Sequence, residues 1–194
     1  MKGNLFILSG QSGVGKNTIL KAIQEKHPDF HWAVTYTTRE PRSEEIPGED
    51  HFFVYRDKFE GMIKNDEFLE YAQVHGEMYG TPKEQIAQAL NNTKSVIMEI
   101  DVQGATQVKK AMTEAVLIFI KYEPGNLEEI IRRRIQNDPK RGETTEEEIQ
   151  TRIATAKKEA GYEKYYDYSV VNPEGHPEKA IKEVEKIIDN KLKQ

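Results

Sequence analysis

The sequence contains no cysteine. Disulfide frameworks, thiolate metal sites and cysteine nucleophiles are excluded with it. No apolar run approaches the roughly 18 residues that a membrane span requires. The short apolar stretch at residues 5–8 runs straight into Ser9 and Gly10, without a small-residue cleavage signal, so a secretory leader is not expected there. An excess of basic charge is also missing. Lys and Arg number 28 against 33 Asp and Glu, a net charge of −5. A surface given over to nucleic acid is therefore not expected, although a local basic pocket fits that balance. Repeats and low-complexity tracts are absent. What remains is a polar chain of 194 residues, 31% of them charged. At roughly 150 residues per domain, this predicts one domain with room for insertions. A chain of this size buries about 70% of its unfolded surface, enough for a core without covalent staples. The expectation is a single-domain, soluble, cytoplasmic protein.

Apolar runs alternate with amphipathic stretches, as a βα chain requires. Residues 5–8, 96–101 and 116–120 read as buried strands, apolar on both faces like strands of a parallel sheet covered by helices. Helical periodicity runs over residues 18–26, 82–90, 127–135, 146–160 and 177–192. Two starts carry explicit signals. Thr81-Pro82-Lys83-Glu84 reads as a capping box with proline at the first helical position, and Thr145 with Glu148 reads as another. Two regions break the rhythm. Trp32, Val34 and Tyr36 alternate, and residues 52–55 and 68–74 follow as short strands, which predicts an inserted, mostly antiparallel piece. Tyr55, Phe59 and Met62 read as the core of that piece. Residues 136–145 are polar, with Pro139 and Gly142, and read as a mobile loop between two helices.

The strongest motif is Gly10-Gln11-Ser12-Gly13-Val14-Gly15-Lys16-Asn17-Thr18. It follows a strand and opens a helix, the context a phosphate-binding loop needs. Glycines let successive N–H groups converge on an anion, and the helix N-terminus adds its positive end. Lys16 supplies a point charge for β and γ phosphates. Asn17 stands where a hydroxyl ligand to Mg²⁺ is usual, so the metal is expected to be largely water-ligated, with Thr18 the nearest hydroxyl. A second anion site is suggested by Arg39 and Arg42, whose paired guanidinium forks suit a phosphate dianion. Glu99 and Asp101 stand two apart at the end of a buried strand, a spacing that sets both on one side, and ligands of open α/β sheets gather beyond strand C-termini. Arg132, Arg133 and Arg134 precede the polar loop, Arg141 lies in it and Arg152 follows. Arginines closing over a moving phosphoryl group can stabilise its transition state, while Arg132 and Arg133 read better as a solvated helix face.

These motifs, with Glu70-Tyr71-Ala72, Tyr79-Gly80-Thr81, Asp101-Val102-Gln103-Gly104 and Arg141-Gly142-Glu143-Thr144, resemble the guanylate kinase family over essentially the whole chain. The resemblance implies a P-loop α/β fold with a parallel sheet of about five strands flanked by helices. Residues 1–33, 84–122 and 162–194 would form its core, 34–83 a GMP-binding insertion and 123–161 a helical lid. It implies transfer of the γ-phosphoryl group of ATP to GMP, with dGMP accepted and Mg²⁺ as cofactor. The partners would be free nucleotides rather than nucleic acid or membrane, and the enzyme a monomer or homodimer. Arg39, Arg42 and Tyr79 would hold the GMP phosphate, together with His51, where a tyrosine is common. Thr35, Glu70, Thr81 and Asp101 would surround the guanine. Guanine offers N1–H and a 2-amino group to carboxylates, and adenine lacks both donors, so a site built on them discriminates strongly. ATP would lie on residues 10–18 with Asn172 beside its adenine. Thr18 and Glu99 would serve the metal, and Lys16, Arg134, Arg141 and Arg152 the transfer itself. The lid departs from the family form, because Asn137-Asp138-Pro139-Lys140 lengthens it. Two other readings are a related kinase acting on a ribose bisphosphate and a non-catalytic scaffold domain. The base-binding set argues against the first, and the intact phosphate loop against the second.

Overall fold

The computed structural model describes residues 3–42, 45–74, 76–136 and 144–193. The chain divides into two compact units, residues 1–7 with 29–115 and residues 8–28 with 116–194. Strand β1 (Leu5–Gly10) begins in the first and ends in the second, and all six of its residues are buried. It is the middle strand of a five-stranded sheet in which β2 (His31–Trp32), β7 (Val96–Glu99), β1, β8 (Val116–Tyr122) and β9 (Tyr168–Asn172) follow in that order. The P-loop α/β architecture read from the motifs is present.

In the first unit, β2 (His31–Trp32) runs parallel to β7 (Val96–Glu99), with His31 opposite Val96. The insertion forms a second sheet from β3 (Thr35–Thr37), β4 (His51–Phe53), β5 (Phe68–Val74) and β6 (Glu77–Pro82), in the order β4-β3-β6-β5. Both pairings of β6 are antiparallel, while β3 and β4 run parallel. Mostly antiparallel pairing is therefore what the alternation produced. Helix α2 (Arg56–Lys64) seats Phe59 and Met62 against Phe68, and the Phe59 and Phe68 rings stack at 4.5 Å. Phe59 is fully buried, and its truncation to alanine would cost about 3–5 kcal/mol. Tyr55, expected in the same core, is instead 87% exposed. It occupies the extended N-cap position before α2, outside the face that Phe59 and Met62 share.

Helices α3 (Lys83–Asn91) and α4 (Val102–Ala111) flank β7 in sequence. The capping box expected at Thr81 does not form: α3 begins after Pro82, no side chain caps it, and Thr81 belongs to β6 with its hydroxyl engaged elsewhere. The strand expected over residues 96–101 ends at Glu99. Asp101 is the N-cap of α4 and accepts from the Gly104 N–H at 2.7 Å, so strand alternation does not set its direction. Periodicity did not mark α4, because its buried stripe is Val102, Gly104, Ala105 and Val108, mostly small residues.

In the second unit, α1 (Lys16–Lys26) follows β1, and β8 (Val116–Tyr122) runs parallel to β9 (Tyr168–Asn172), pairing Tyr122 with Asn172. Helices α5 (Leu127–Gln136), α6 (Glu146–Ala160) and α7 (Pro177–Leu192) complete it. The capping box of Thr145 and Glu148 is formed in full at the start of α6. Helix α7 buries Ala180, Val184, Ile187 and Ile188 on one face, and the large aliphatic ones each contribute about 1.5–3 kcal/mol. Among the described residues no helix is long and apolar enough to cross a membrane.

Candidate active site

The glycine-rich loop lies in the second unit, and its neighbours explain its shape. Gly10 has φ +140°, and a Cβ there would lie 2.0 Å from the Ile120 carbonyl oxygen. Only glycine fits where β1 turns out of the sheet. Gly13 and Gly15 also have left-handed φ values, and Gly15 is the N-cap from which α1 begins. The buried Gln11 braces the loop: its amide nitrogen donates to the Ala156 carbonyl at 3.1 Å, and its amide oxygen accepts from the Tyr122 N–H at 2.9 Å. The Ser12 N–H donates to Glu159 Oε2 at 2.5 Å, and the Tyr122 hydroxyl donates to the Ser12 carbonyl at 2.8 Å. Lys16 Nζ donates to the carbonyl oxygens of Gly10 and Gln11, each at 3.1 Å. Its charge is thus held by neutral acceptors and remains available to an anion. Asn17 and Thr18 are exposed on the first turn of α1.

Asn172, at the end of β9, is 3% exposed. Its amide nitrogen donates to the Val14 carbonyl at 2.6 Å, and its Oδ1 is buried without a partner. Arg134 donates from Nη1 to the Val14 carbonyl at 2.8 Å and from Nη2 to the Asn172 carbonyl at 2.7 Å, with its guanidinium 5.0 Å over the Tyr122 ring. It therefore joins the phosphate loop to the end of β9. With Arg152, Ser12, Gly13 and Tyr122 it lines a cleft of about 40 Å³. Arg132 pairs with Glu128 and Glu146, and Arg133 with Glu129 and Glu174, as a solvated helix face would. Arg141 lies outside the described residues, as does most of the expected polar loop.

The second cluster lies in the first unit. Glu70 on β5 faces Thr81 on β6 in the strand register, and the Thr81 hydroxyl donates to Glu70 Oε1 at 2.6 Å. Both are buried, Glu70 to 3% exposure. Burial pushes the Glu70 carboxyl up from 4.5 to about 7, with Asp101 adding to the rise and the Thr81 hydrogen bonds opposing it. A desolvated carboxylate whose partner is a neutral hydroxyl is suited to accept from the N–H groups of a base. Helix α4 comes close here, since a Cβ on Gly104 would lie 2.3 Å from Glu70 Oε2. Asp101 holds Gly104 N–H through Oδ1 and Gln103 Nε2 through Oδ2, the latter at 3.3 Å. Glu99 stands at the end of β7, partly exposed.

Arg39, Tyr79, His51 and Thr35 gather on β3, β4, β6 and the segment after β3. Arg39 Nε donates to the Tyr79 hydroxyl at 3.2 Å, and the guanidinium lies 5.5 Å over the Phe53 ring. Its two remaining nitrogens donate to Glu45 at 2.7 and 2.5 Å. Glu45 also accepts from the Arg42 N–H at 2.9 Å. The pairing with Arg39 drives the Glu45 carboxyl down from 4.5 to about 2. His51 Nδ1 and Thr35 Oγ1 are 2.7 Å apart, and burial lowers the imidazole pKa, with the Arg39 charge a further cause. His51 is thus a neutral ring at neutral pH, able to donate from one nitrogen. Sequence reasoning missed Glu45. Its place three residues after Arg42 is a weak sign of pairing, since many surface glutamates stand so. Among the described residues no group of three or more His, Asp or Glu is placed to hold a metal.

The chain is similar to known proteins over nearly its whole length. A family model described as Guanylate kinase matches residues 2–191. The guanylate kinase of Clostridium perfringens (strain SM101 / Type A) is 44% identical over 187 residues, covering 96% of this chain and 83% of that protein. The guanylate kinase of Prochlorococcus marinus (strain NATL2A) is 42% identical and spans 98% of both chains. Among solved structures, guanylate kinase from Anaplasma phagocytophilum superposes with a TM-score of 0.71 at 29% identity, over 99% of this chain and 85% of that one. A sugar kinase from Janibacter sp. HTCC2649 shares the fold, with a TM-score of 0.52 at 14% identity over 96% of this chain and 95% of its own.

Proposed function

The chain belongs to the guanylate kinase family and is an ATP:GMP phosphotransferase; we propose that it reads its acceptor in the first unit and grips its donor in the second. Guanine is recognised by Glu70, with Thr35, Thr81 and Asp101 around it. The GMP phosphate is held by Arg39, Arg42, Tyr79 and His51. dGMP is accepted as well, because base and phosphate supply these contacts. ATP lies on residues 10–18, with Lys16 at its β and γ phosphates and Asn172 at its adenine. The same reading makes it a cytoplasmic enzyme of free nucleotides, a monomer or homodimer. The observation that carries the acceptor assignment is Glu70: a carboxylate 3% exposed, hydrogen-bonded by a neutral hydroxyl.

No protein nucleophile is needed, since an oxygen of the GMP phosphate attacks the γ-phosphorus of ATP and the β–γ bridging bond breaks. The protein's part is to orient two polyanions and offset their charge. Lys16, held by carbonyl oxygens, meets the charge that builds on the β–γ bridge. Arg134 keeps Val14 and the end of β9 in register, and Arg141 and Arg152 supply positive charge to the transferring group. The Thr18 hydroxyl and the Glu99 carboxylate would be the oxygen donors that the chain offers to Mg²⁺, which would offset part of the negative charge of the phosphates. Exclusion of water matters, because water competes as acceptor.

The test is ADP release from ATP with Mg²⁺ against GMP, dGMP, AMP, CMP, UMP and a ribose bisphosphate. Turnover on GMP and dGMP alone is expected. Turnover of AMP at a comparable rate would overturn the base-reading assignment.

A further inference from the structure

Helix α4 places three residues at intervals of three along one face, where residues so spaced are neighbours, and all three act on adjacent positions of β5. Asp101 acts electrostatically on Glu70. Gly104 lets the helix approach the Glu70 carboxylate. Gln107 grips the next residue, Tyr71: its Nε2 donates to the Tyr71 carbonyl at 2.8 Å, and its Oε1 accepts from the Tyr71 N–H at 3.2 Å. Strand β5 is an edge of its sheet, so at Tyr71 a side-chain amide stands where a further strand would. The device recurs on the other base-reading segment. Gln85 of α3 accepts from the Val34 N–H at 2.8 Å and donates to the Val34 carbonyl at 3.3 Å, immediately before Thr35. A primary amide carries both an acceptor and donors, which is what a backbone residue presents to its neighbour.

We propose that Gln107 and Gln85 are positioning residues for nucleobase recognition: their amides fix the backbone at Tyr71 and Val34 and so hold Glu70 and Thr35 where the edge of the base is read. The proposal rests on the reading of Glu70 and Thr35 given above. Hydrogen bonds weaken steeply with misalignment, so a small displacement of either strand changes base binding without touching the donor site. Neither glutamine has a sequence signature of its own, since one amide among many surface polar residues carries no periodicity.

The experiment measures kcat and KM for GMP and for ATP in Gln107→Met and Gln85→Met, with Glu70→Gln alongside. In each glutamine variant, KM for GMP is expected to rise about tenfold, the loss of roughly one net hydrogen bond. KM for ATP and kcat at saturating GMP should stay near wild type. The acid limb of kcat/KM for GMP supplies a second reading. The groups that act on Glu70 are Asp101 of α4 and Thr81 of β6. Loosening β5 in Gln107→Met admits water to Glu70 and moves that limb to lower pH. Gln107→Glu keeps an acceptor for the Tyr71 N–H but adds a carboxylate to the same helix face, and moves the limb up. A glutamine that served stability alone would lower Tm and leave both the KM split and the limb in place, which overturns the proposal. Should Gln107→Met fail to fold, Gln107→Glu decides alone: an unchanged GMP KM with an unmoved limb overturns it. Equal loss of GMP and ATP use in Glu70→Gln would sink the reading of Glu70 itself. A GMP-specific loss there, with wild-type behaviour in the glutamine variants, would sink only the positioning role.

Discussion

The two units treat charge in opposite ways. In the second, the cations of the phosphate loop are held by neutral oxygens: Lys16 by the carbonyls of Gly10 and Gln11, Arg134 by those of Val14 and Asn172. Their charge is oriented and left uncompensated by those contacts. In the first, Arg39 is forked onto the Glu45 carboxylate, while the carboxylate of Glu70 is buried against a hydroxyl. One unit therefore offers positive charge to a polyphosphate. The other offers an under-solvated negative group to the donor edge of a base, beside Arg39, whose guanidinium is oriented by Glu45. The lesson is that recognising a phosphate needs charge held in place, whereas recognising a base needs a polar group deprived of water.

The largest expected effect falls on the phosphate side. Lys16→Ala should lower turnover on GMP by about a hundredfold or more, the range seen when a group that stabilises developing charge is removed. Retention of turnover, measured as ADP release, would contradict the contrast at its donor end. Next is Gly104→Ala. Its new Cβ would meet Glu70 Oε2 at 2.3 Å, and Glu70 is pinned by Thr81. KM for GMP should rise about tenfold by displacement of a hydrogen-bonding group, with KM for ATP unchanged. Parallel rises for both substrates in steady-state kinetics would show that the close approach is not specific to base reading. The smallest effect concerns Glu45. Its folded-state carboxyl lies near 2 rather than 4.5, so its pairing stabilises the fold above about pH 4.5 and is lost as pH falls toward 2. Glu45→Gln should cost about 1 kcal/mol in chemical denaturation at pH 7, a difference that closes below pH 3. A gap independent of pH would show that packing, not charge, carries the pair.

Much of this was legible in the sequence, and for identifiable reasons. The loop from Gly10 to Thr18 is contiguous, so its strand, glycines, lysine and helix are read in one window. The apolar period of α7 and the capping box of α6 were equally local. The acceptor cluster is distributed over β3 to β6 and α4, and there the family resemblance named residues whose contacts only the fold reveals. Thr81 shows the limit. A threonine before Pro-Lys-Glu is a good capping signal, yet strand pairing with β5 took its hydroxyl for Glu70. Asp101 went the other way: expected within a strand, it caps α4. Glu45 and Gln107 were hard to read because Arg39 and Tyr71, which they engage, lie 6 and 36 positions away, with no period to mark them.

The sharpest test of the contrast is Glu70→Gln, followed at pH 8 by Tm and by kcat/KM for GMP and ATP. The wild-type carboxyl sits at about 7 in the fold against 4.5 when exposed, so the folded chain holds that proton more tightly than the unfolded one. Stability therefore falls as pH rises between those values, and above pH 7 the buried charge costs on the order of 3 kcal/mol. The expected result is a Tm raised by several degrees together with a kcat/KM for GMP lowered about a hundredfold and a KM for ATP unchanged. A lowered Tm with unimpaired use of GMP would mean that Glu70 is a structural residue, and the contrast between the two units would fail.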